Sequence, residues 1–129
     1  MTRIATLIAL AAIAIAAATI PAKPMEGRKL QKLANEARTF AEHKEAARHY
    51  EVRARHFEDK AEGHERDADE LTLRSGYNPM KHKWPAMVQA PIDKSRAQAM
   101  EARRAARESL ELAVKHHNMA AKAGGRATE

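Results

Sequence analysis

Hydrophobic and polar residues follow a helical period over two long stretches of the chain. Between about residues 28 and 74, apolar or small side chains recur every seven residues, and a second column follows three residues behind the first. The first column contains Leu33, Phe40, Ala47, Ala54, Ala61 and Ala68, and the second contains His43, Tyr50, Phe57, His64 and Leu71. Two columns offset by three residues predict one long helix with a seam of coiled-coil type.

A second helix is predicted over about residues 92–123. Its seven-residue repeat consists of Ile92, Ala99, Ala106, Ala113 and Ala120, with Leu110 and His117 on an adjoining column. Ser75-Gly76 and Gly124-Gly125 are typical of helix ends, and Pro91 suits a first helical turn. Alternating β-branched runs are missing after residue 22. The sequence therefore predicts an all-α fold, a long antiparallel helical hairpin of about 65 Å at about 1.5 Å per residue.

A single hairpin leaves many apolar groups uncovered. These are Phe40, Tyr50, Phe57, Leu71, Leu110, Leu112 and Val114. They are too many for one thin contact between two helices and too few for an independent core. Pairing of two hairpins into a four-helix bundle would cover them, so we expect a homodimer.

Residues 1–22 differ from the rest of the chain. Arg3 is their single charged side chain, and the run from Ile4 to Ile20 is uncharged before Pro21-Ala22. A basic start, an apolar run and small residues predict a signal peptide. The alternative is an inner-membrane anchor formed by residues 4–20. In both cases we expect residues 23–129 to form one exported, periplasmic domain.

Charge and composition exclude several classes of function. The 23 Lys and Arg residues are interleaved with 17 Asp and Glu residues. Interleaving is typical of a solvent-exposed helix surface, whereas a nucleic-acid binder concentrates its positive charge on one face. We therefore expect no nucleic-acid partner. The absence of cysteine excludes thiolate metal sites and covalently attached haem. Because motifs such as G-x-S-x-G and H-E-x-x-H are also missing, we expect no enzyme.

Seven histidines raise the question of a metal site. None lies three or four residues from another, so a site on a single helix is excluded. If residue 73 lies opposite residue 91, however, His116 or His117 falls close to His43 and Tyr50, with Glu36 nearby. The candidate ligands for Zn, Cu, Ni or haem are then His43, Tyr50, His64, His116 and His117. The favoured alternative is that these residues are structural and form hydrogen bonds within the seam.

The predicted loop, residues 75–91, is a second candidate site. It contains Tyr77, Met80, Lys81, His82, Lys83, Trp84 and Met87. Loops longer than about 12–15 residues are uncommon unless they are functional or disordered. Tyr77, Lys81, His82, Lys83, Trp84 and Met87 are therefore candidate contacts to an anionic lipid surface or an envelope protein. Met80 with His82 suits Cu(I), and the alternative is that Trp84 and Met87 cover the open end of the hairpin.

Two segments carry a resemblance to other proteins. "EHKEAARHYEVRARHFEDKAEGHERDA" and "AARESLELAVKHHNMA" resemble the two helices of a group of small, exported, uncharacterised bacterial proteins. The matching positions are His43, Tyr50, Ala54, Ala61, His64, Ala105, Ala106, Glu108, Leu112, Ala113, His116, Met119 and Ala120. Many members have a His-Cys pair at the start of the second helix, where this chain has Lys94-Ser95. The resemblance implies no activity.

The expected function is that of a non-enzymatic envelope protein, a binding or structural helical module. A chaperone or stress protein is one version of this hypothesis, although the L-T-x-x-Q signature of one such family is absent and "LTLRS" at residues 71–75 is its nearest counterpart. The first alternative is a periplasmic metal- or haem-binding protein that uses the seam histidines. The second is association with the envelope surface through the Trp84 loop.

Overall fold

A computed structural model of the protein describes residues 23–76 and 86–125. It contains three helices, α1 (Gly27–Glu36), α2 (Phe40–Arg74) and α3 (Ala86–Gly125). The described residues include no strand, and the predicted all-α class is confirmed. No helix within these two ranges is long and apolar enough to cross a membrane. The predicted signal or anchor in residues 1–22 lies outside the described residues.

α2 and α3 form the predicted antiparallel hairpin. The small residues of the first column are buried along α2 from Ala47 to Ala68, and all five members of the α3 column are buried. At one end of the pair, a Cβ on Gly124 would lie 3.3 Å from the Phe40 ring. Further along, Arg103 Nη2 donates to Glu65 Oε2 at 2.8 Å. Both contacts agree with the predicted register to within one helical turn.

The second inward column of α3 differs from the prediction. Ala102, Ser109 and His116 are buried, whereas Leu110 is 46% exposed and His117 is also exposed. The inward positions of a heptad are separated by three and four residues, so the residues three places after the first column face the partner helix. Leu110 and His117 are four places after it and therefore lie on the flank.

The prediction of one helix over residues 28–74 is wrong, because the chain breaks between α1 and α2. Thr39 caps α2, where its hydroxyl accepts from the backbone N–H of Glu42 at 3.3 Å. In return Glu42 Oε2 accepts from the backbone N–H groups of Thr39 at 2.9 Å and Arg38 at 2.7 Å. These hydrogen bonds, first from Arg38 and then from Thr39, lower the pKa of the Glu42 carboxyl. The 35 residues of α2 give a length of about 52 Å, shorter than predicted.

α1 folds back along the hairpin instead of extending α2. Its side chain at Leu30 is completely buried and packs with Tyr50 of α2 and Ala113 of α3. The start of α1 reaches Arg53, since a Cβ on Gly27 would lie 2.9 Å from Arg53 Nη1. α1 therefore runs antiparallel to α2 and covers Tyr50 within a single chain, which removes part of the reason for expecting a dimer.

The hairpin turn begins where the sequence predicts. The N–H of Gly76 donates to the Leu73 carbonyl at 3.2 Å, and Gly76 has φ +62°, a conformation that only glycine adopts readily. α3 starts at Ala86, so Pro91 lies inside the helix and not at its first position. Pro91 is the sixth residue of α3, beyond the first turn, so its missing N–H removes one hydrogen bond to the carbonyl four residues earlier.

Candidate functional site

Two histidines meet across the hairpin close to its α1 end. His43 lies in the first turns of α2 and His116 lies on the inward column of α3, and their Nδ1 atoms are 3.1 Å apart. Their ring centroids are 5.4 Å apart, with the planes at 38°. One Nδ1 must carry a hydrogen and donate while the other accepts. In the neutral pair, one ring consequently offers Nε2–H as a donor and the other offers a bare Nε2.

Tyr50 packs beside the histidine pair, and we call His43, His116 and Tyr50 together the histidine layer. Its ring stacks on that of His116, with centroids 5.7 Å apart and planes at 19°. Tyr50 and His116 are each 6% exposed. Burial is the main cause that lowers the pKa of His116 below 6.5, and the positive charges on His43 and Lys115 add to it. The His116 imidazole is therefore held in its neutral form down to a lower pH than usual.

The other predicted ligands do not join the layer. His117 lies on the exposed flank, where its Nε2 is 2.8 Å from Glu51 Oε1. His64 Nδ1 lies 4.0 Å from Asp67 Oδ2, further along α2, and Glu36 is paired with Lys32. Within residues 23–76 and 86–125, no group of three or more His, Asp or Glu residues is arranged to hold a metal ion. The layer offers two imidazoles.

The predicted loop site is not described. Tyr77, Met80, Lys81, His82, Lys83 and Trp84 lie outside the described residues. Met87 belongs to the first turn of α3, but its side chain also lies outside them. The loop contacts and the Met80–His82 copper site therefore stay predictions.

An open cleft of about 500 Å³ lies over the histidine pair, between the end of α1 and α3. We call it the basic cleft. Its lining residues are Ala34 and Asn35 of α1, Ala37 and Arg38 of the break, His43 of α2, and Lys115, His116, Met119, Lys122 and Ala123 of α3. Three of them are permanent cations and two are imidazoles, while none is a carboxylate. This set departs from the interleaved charges of the remaining surface.

A second cleft of about 500 Å³ lies beside the basic cleft, along the length of α1. Ala34, Asn35, Lys115 and His116 line both clefts, so the last part of α1 lies close to His116. The second cleft differs in charge, because Glu108 lines it beside its basic residues. The basic cleft is therefore the more distinctive of the two for recognition of a charged ligand.

Several cleft residues were missed by the sequence prediction, namely Asn35, Arg38, Lys115, Met119 and Lys122. The prediction placed the residues before Phe40 within one straight helix, where they could not face the end of α3. The signal was present in Thr39-Phe40-Ala41-Glu42, since Thr followed three residues later by Glu is a capping box. That motif marks a helix start, and with it the break that turns α1 back.

The lining of the cleft limits the chemistry that the cleft can support. Its lining residues offer N–H donors and positive charge, but no hydroxyl, thiol or carboxylate that would act as a nucleophile or orient an imidazole. The histidine pair can exchange a proton between its rings, yet it lacks a third group aimed at it from this lining. No protein-family model, curated protein or solved structure matches the chain.

Proposed function

We propose that the protein is a non-enzymatic binding module of the cell envelope, and that its ligand site is the basic cleft. The observation that carries the proposal is the fold-back of α1, which builds a cleft over His43 and His116 on a hairpin whose seam is otherwise mostly alanine. A volume of about 500 Å³ lies within the range of small-molecule sites.

The rest of the hairpin supports this choice of site. The alanine seam is buried and offers no group for ligand chemistry. Along the flank opposite α1, cross-helix pairs link Glu51 with His117 and Glu65 with Arg103. Charged groups that are already paired with each other are poorly suited to bind a ligand. The α1 end is where donors from four segments, namely α1, the break, α2 and α3, line one cavity without such partners.

A panel of ligands on the full chain tests the proposal. Carboxylates, phosphates, sugars, amino acids and divalent metals are added in turn, and thermal unfolding is followed by far-UV circular dichroism. A ligand at about 100 times its Kd adds about 2.7 kcal/mol to the free energy of unfolding, which gives a clear rise in Tm. We expect at least one class of compound to raise the Tm.

Two matched variants locate the binding. Met119→Trp introduces bulk into the basic cleft, and Met100→Trp makes the same change on α3 at a position that is 73% exposed and far from it. The rise in Tm should be lost in Met119→Trp and kept in Met100→Trp. A panel without any rise in Tm, or equal rises in the two variants, would contradict the proposal.

Metal binding is the second candidate, and the distance between His43 Nδ1 and His116 Nδ1 favours it. Two nitrogens at about 2.0–2.1 Å from one tetrahedral ion lie about 3.3–3.4 Å apart. The observed separation of 3.1 Å is close to this value, so a small shift of the rings would accommodate Zn, Cu or Ni. The remaining positions would be filled by water or by an exogenous ligand.

Metal content and thermal unfolding test this candidate. His43→Ala/His116→Ala removes the two imidazoles, and His56→Ala serves as a control because His56 is exposed and absent from both clefts. A stoichiometric metal that raises the Tm of the wild type and of His56→Ala, but not of the double variant, would support it. A wild type that retains no metal and shows no rise in Tm rules it out.

Export is part of the proposal, and the basic start and uncharged run of residues 1–22 support it. Fractionation of expressing cells followed by N-terminal mass analysis is the test. A soluble periplasmic chain that begins at Thr19 or Lys23 indicates a cleaved signal peptide. A membrane-bound chain with its full N-terminus indicates the anchor, and a cytoplasmic chain would contradict export.

A homodimer is supported by the exposed apolar side chains of α3. Leu110 is 46% exposed and Val114, one turn later on the same helix, is 57% exposed. Light scattering during size-exclusion chromatography measures the mass directly. A mass of two chains that falls to one chain in Leu110→Glu/Val114→Glu would support dimerisation through this face, whereas a wild-type mass of one chain excludes it.

A further inference from the structure

We infer that the basic cleft recognises a phosphate group, carried on a ligand with a short apolar body. The inference rests on the proposed function and names the chemical class of its ligand. It follows from the charge of the cleft, from the balance of its hydrogen-bond donors and acceptors, and from the apolar part of its lining.

The charge of the cleft has no internal counterpart. Elsewhere on the described surface some basic side chains form ion pairs, as Lys29 does with Glu26 and Arg104 with Glu108. Others, such as Arg55 and Arg66, stand alone there and line neither cleft. Arg38, Lys115 and Lys122 take part in no ion pair among the described residues and line the same cavity. Three unpaired cations in a cleft raise the local concentration of an anion. A doubly charged anion fits them better than a singly charged one.

The nearest carboxylate in sequence does not cancel this charge. Glu42 follows Arg38 by four residues, but it does not line the cleft. Its Oε2 accepts hydrogen bonds from the backbone N–H groups of Arg38 and Thr39 and is held at the start of α2. The Arg38 guanidinium is therefore left for a ligand.

Hydrogen bonding also favours a phosphate. The guanidinium of Arg38, the two ammonium groups and one imidazole Nε2–H are donors, while the acceptors are limited to the Asn35 amide oxygen and the other imidazole. Such a site suits a ligand group made only of acceptors. A phosphate offers three terminal oxygens and about two charges, and Arg binds it through two parallel hydrogen bonds. A carboxylate offers two oxygens and one charge.

The cleft also has an apolar part. Ala34, Ala37, Ala123 and Met119 line it beside the cations. Methionine adapts its shape to irregular apolar groups. The phosphate should therefore be bound more tightly when it carries a short apolar body than as the free inorganic ion.

Isothermal titration calorimetry on the full chain tests the inference with three soluble probes. They are inorganic phosphate, phenyl phosphate and succinate, a dicarboxylate of similar charge. We expect phenyl phosphate to bind more tightly than inorganic phosphate, and succinate to bind at least about tenfold more weakly than phenyl phosphate. A fourth arm uses phosphatidylcholine vesicles with and without phosphatidic acid, to distinguish a lipid headgroup from a soluble phosphate ester.

Two triple variants separate the cleft from net charge. Arg38→Gln/Lys115→Gln/Lys122→Gln removes the three cations of the cleft, and all three positions are exposed, so the fold should persist. Arg55→Gln/Arg66→Gln/Lys94→Gln removes the same charge from exposed positions that do not line it. The cleft triple should weaken phenyl phosphate binding by about tenfold or more, while the control triple should leave it within about twofold.

Each outcome decides the question. Loss of phosphate binding in the cleft triple alone supports the inference, and if that loss is seen with phosphatidic acid vesicles but not with soluble phosphates, the source is a lipid headgroup. Equal weakening in the two triples, or succinate binding as tight as phenyl phosphate, overturns it. A different compound that raises the Tm in a Met119-dependent way would overturn the phosphate inference but keep the binding module. If no compound in the panel binds or raises the Tm, the phosphate inference and the proposed binding module are both wrong.

Discussion

Leu30→Ala tests whether α1 docks through a single apolar anchor. Leu30 is 0% exposed and packs against Tyr50 and Ala113 on the two long helices. Truncation of a buried leucine costs about 2–5 kcal/mol, according to how far the surroundings relax. α1 has 10 residues and Leu30 is its single fully buried side chain, so α1 can detach as a unit. Because α1 can detach while the hairpin stays folded, we expect the free energy of unfolding to fall by only about 2–3 kcal/mol.

Urea denaturation gives this free energy, and amide hydrogen exchange shows where protection is lost. The amides of α1 should exchange rapidly in Leu30→Ala while those in the middle of α2 stay protected. Leu73→Ala is the matched control, because Leu73 is 80% exposed and its truncation should change stability by less than about 0.5 kcal/mol. Equal losses in the two variants, or full protection of α1 in Leu30→Ala, would refute the reasoning.

Three further changes test the break, the long helix and the histidine pair. Thr39→Ala removes the hydroxyl that caps α2 and should cost about 1–2 kcal/mol in urea denaturation; an unchanged stability would show that the capping box is not needed. Gly63→Ala should stabilise α2 by about 0.5–1 kcal/mol, because the added Cβ meets nothing within 4 Å; a loss of stability would reveal a contact at this site. Folding lowers the pKa of His116 from 6.5, so the unfolded chain binds a proton at a higher pH than the folded chain does. The free energy of unfolding should therefore fall as the pH drops through 6.5 towards the folded pKa. His116→Gln should flatten this part of the pH profile, and an equally steep profile in the variant would assign the dependence to another group.

The helical hairpin was predictable because its seam has a simple physical cause. Residues seven apart face the same side of a helix, and the column from Ala47 to Ala68 is buried against the column from Ile92 to Ala120. Two consecutive long helices joined by a single loop pack antiparallel, which then fixes the approximate register. That register brought His43 and His116 close together from sequence alone, although it did not decide between His116 and His117.

The basic cleft was not predictable from periodicity, because it depends on a break in the helix at residues 37–39. The seven-residue repeat passes from Leu33 through Phe40 without a visible change, yet the helix ends at Glu36. The Thr39 cap competes with a continuous helix by hydrogen bonds that are local and independent of the hydrophobic pattern. Phe40 shows the consequence, since it lies in the predicted column but is 46% exposed.

Docking of α1 and protonation of the histidine pair should be linked. In a bare two-helix hairpin, water would reach His116 from either flank and its pKa would stay near 6.5. Ala34 and Asn35 of α1 line the two clefts that meet at His116, so we expect α1 to exclude water from that ring and to contribute to its lowered pKa.

Leu30→Ala, which releases α1, should therefore raise the pKa of His116 towards 6.5. Titration of the imidazole proton resonances by NMR measures this pKa in the wild type and the variant, with Leu73→Ala as the control. An unchanged value would mean that α2 and α3 alone desolvate the ring, and the link between the two events would be lost. A raised value would mean that conditions which protonate His116 also loosen α1, and that an anion held beside the ring would favour its protonated form.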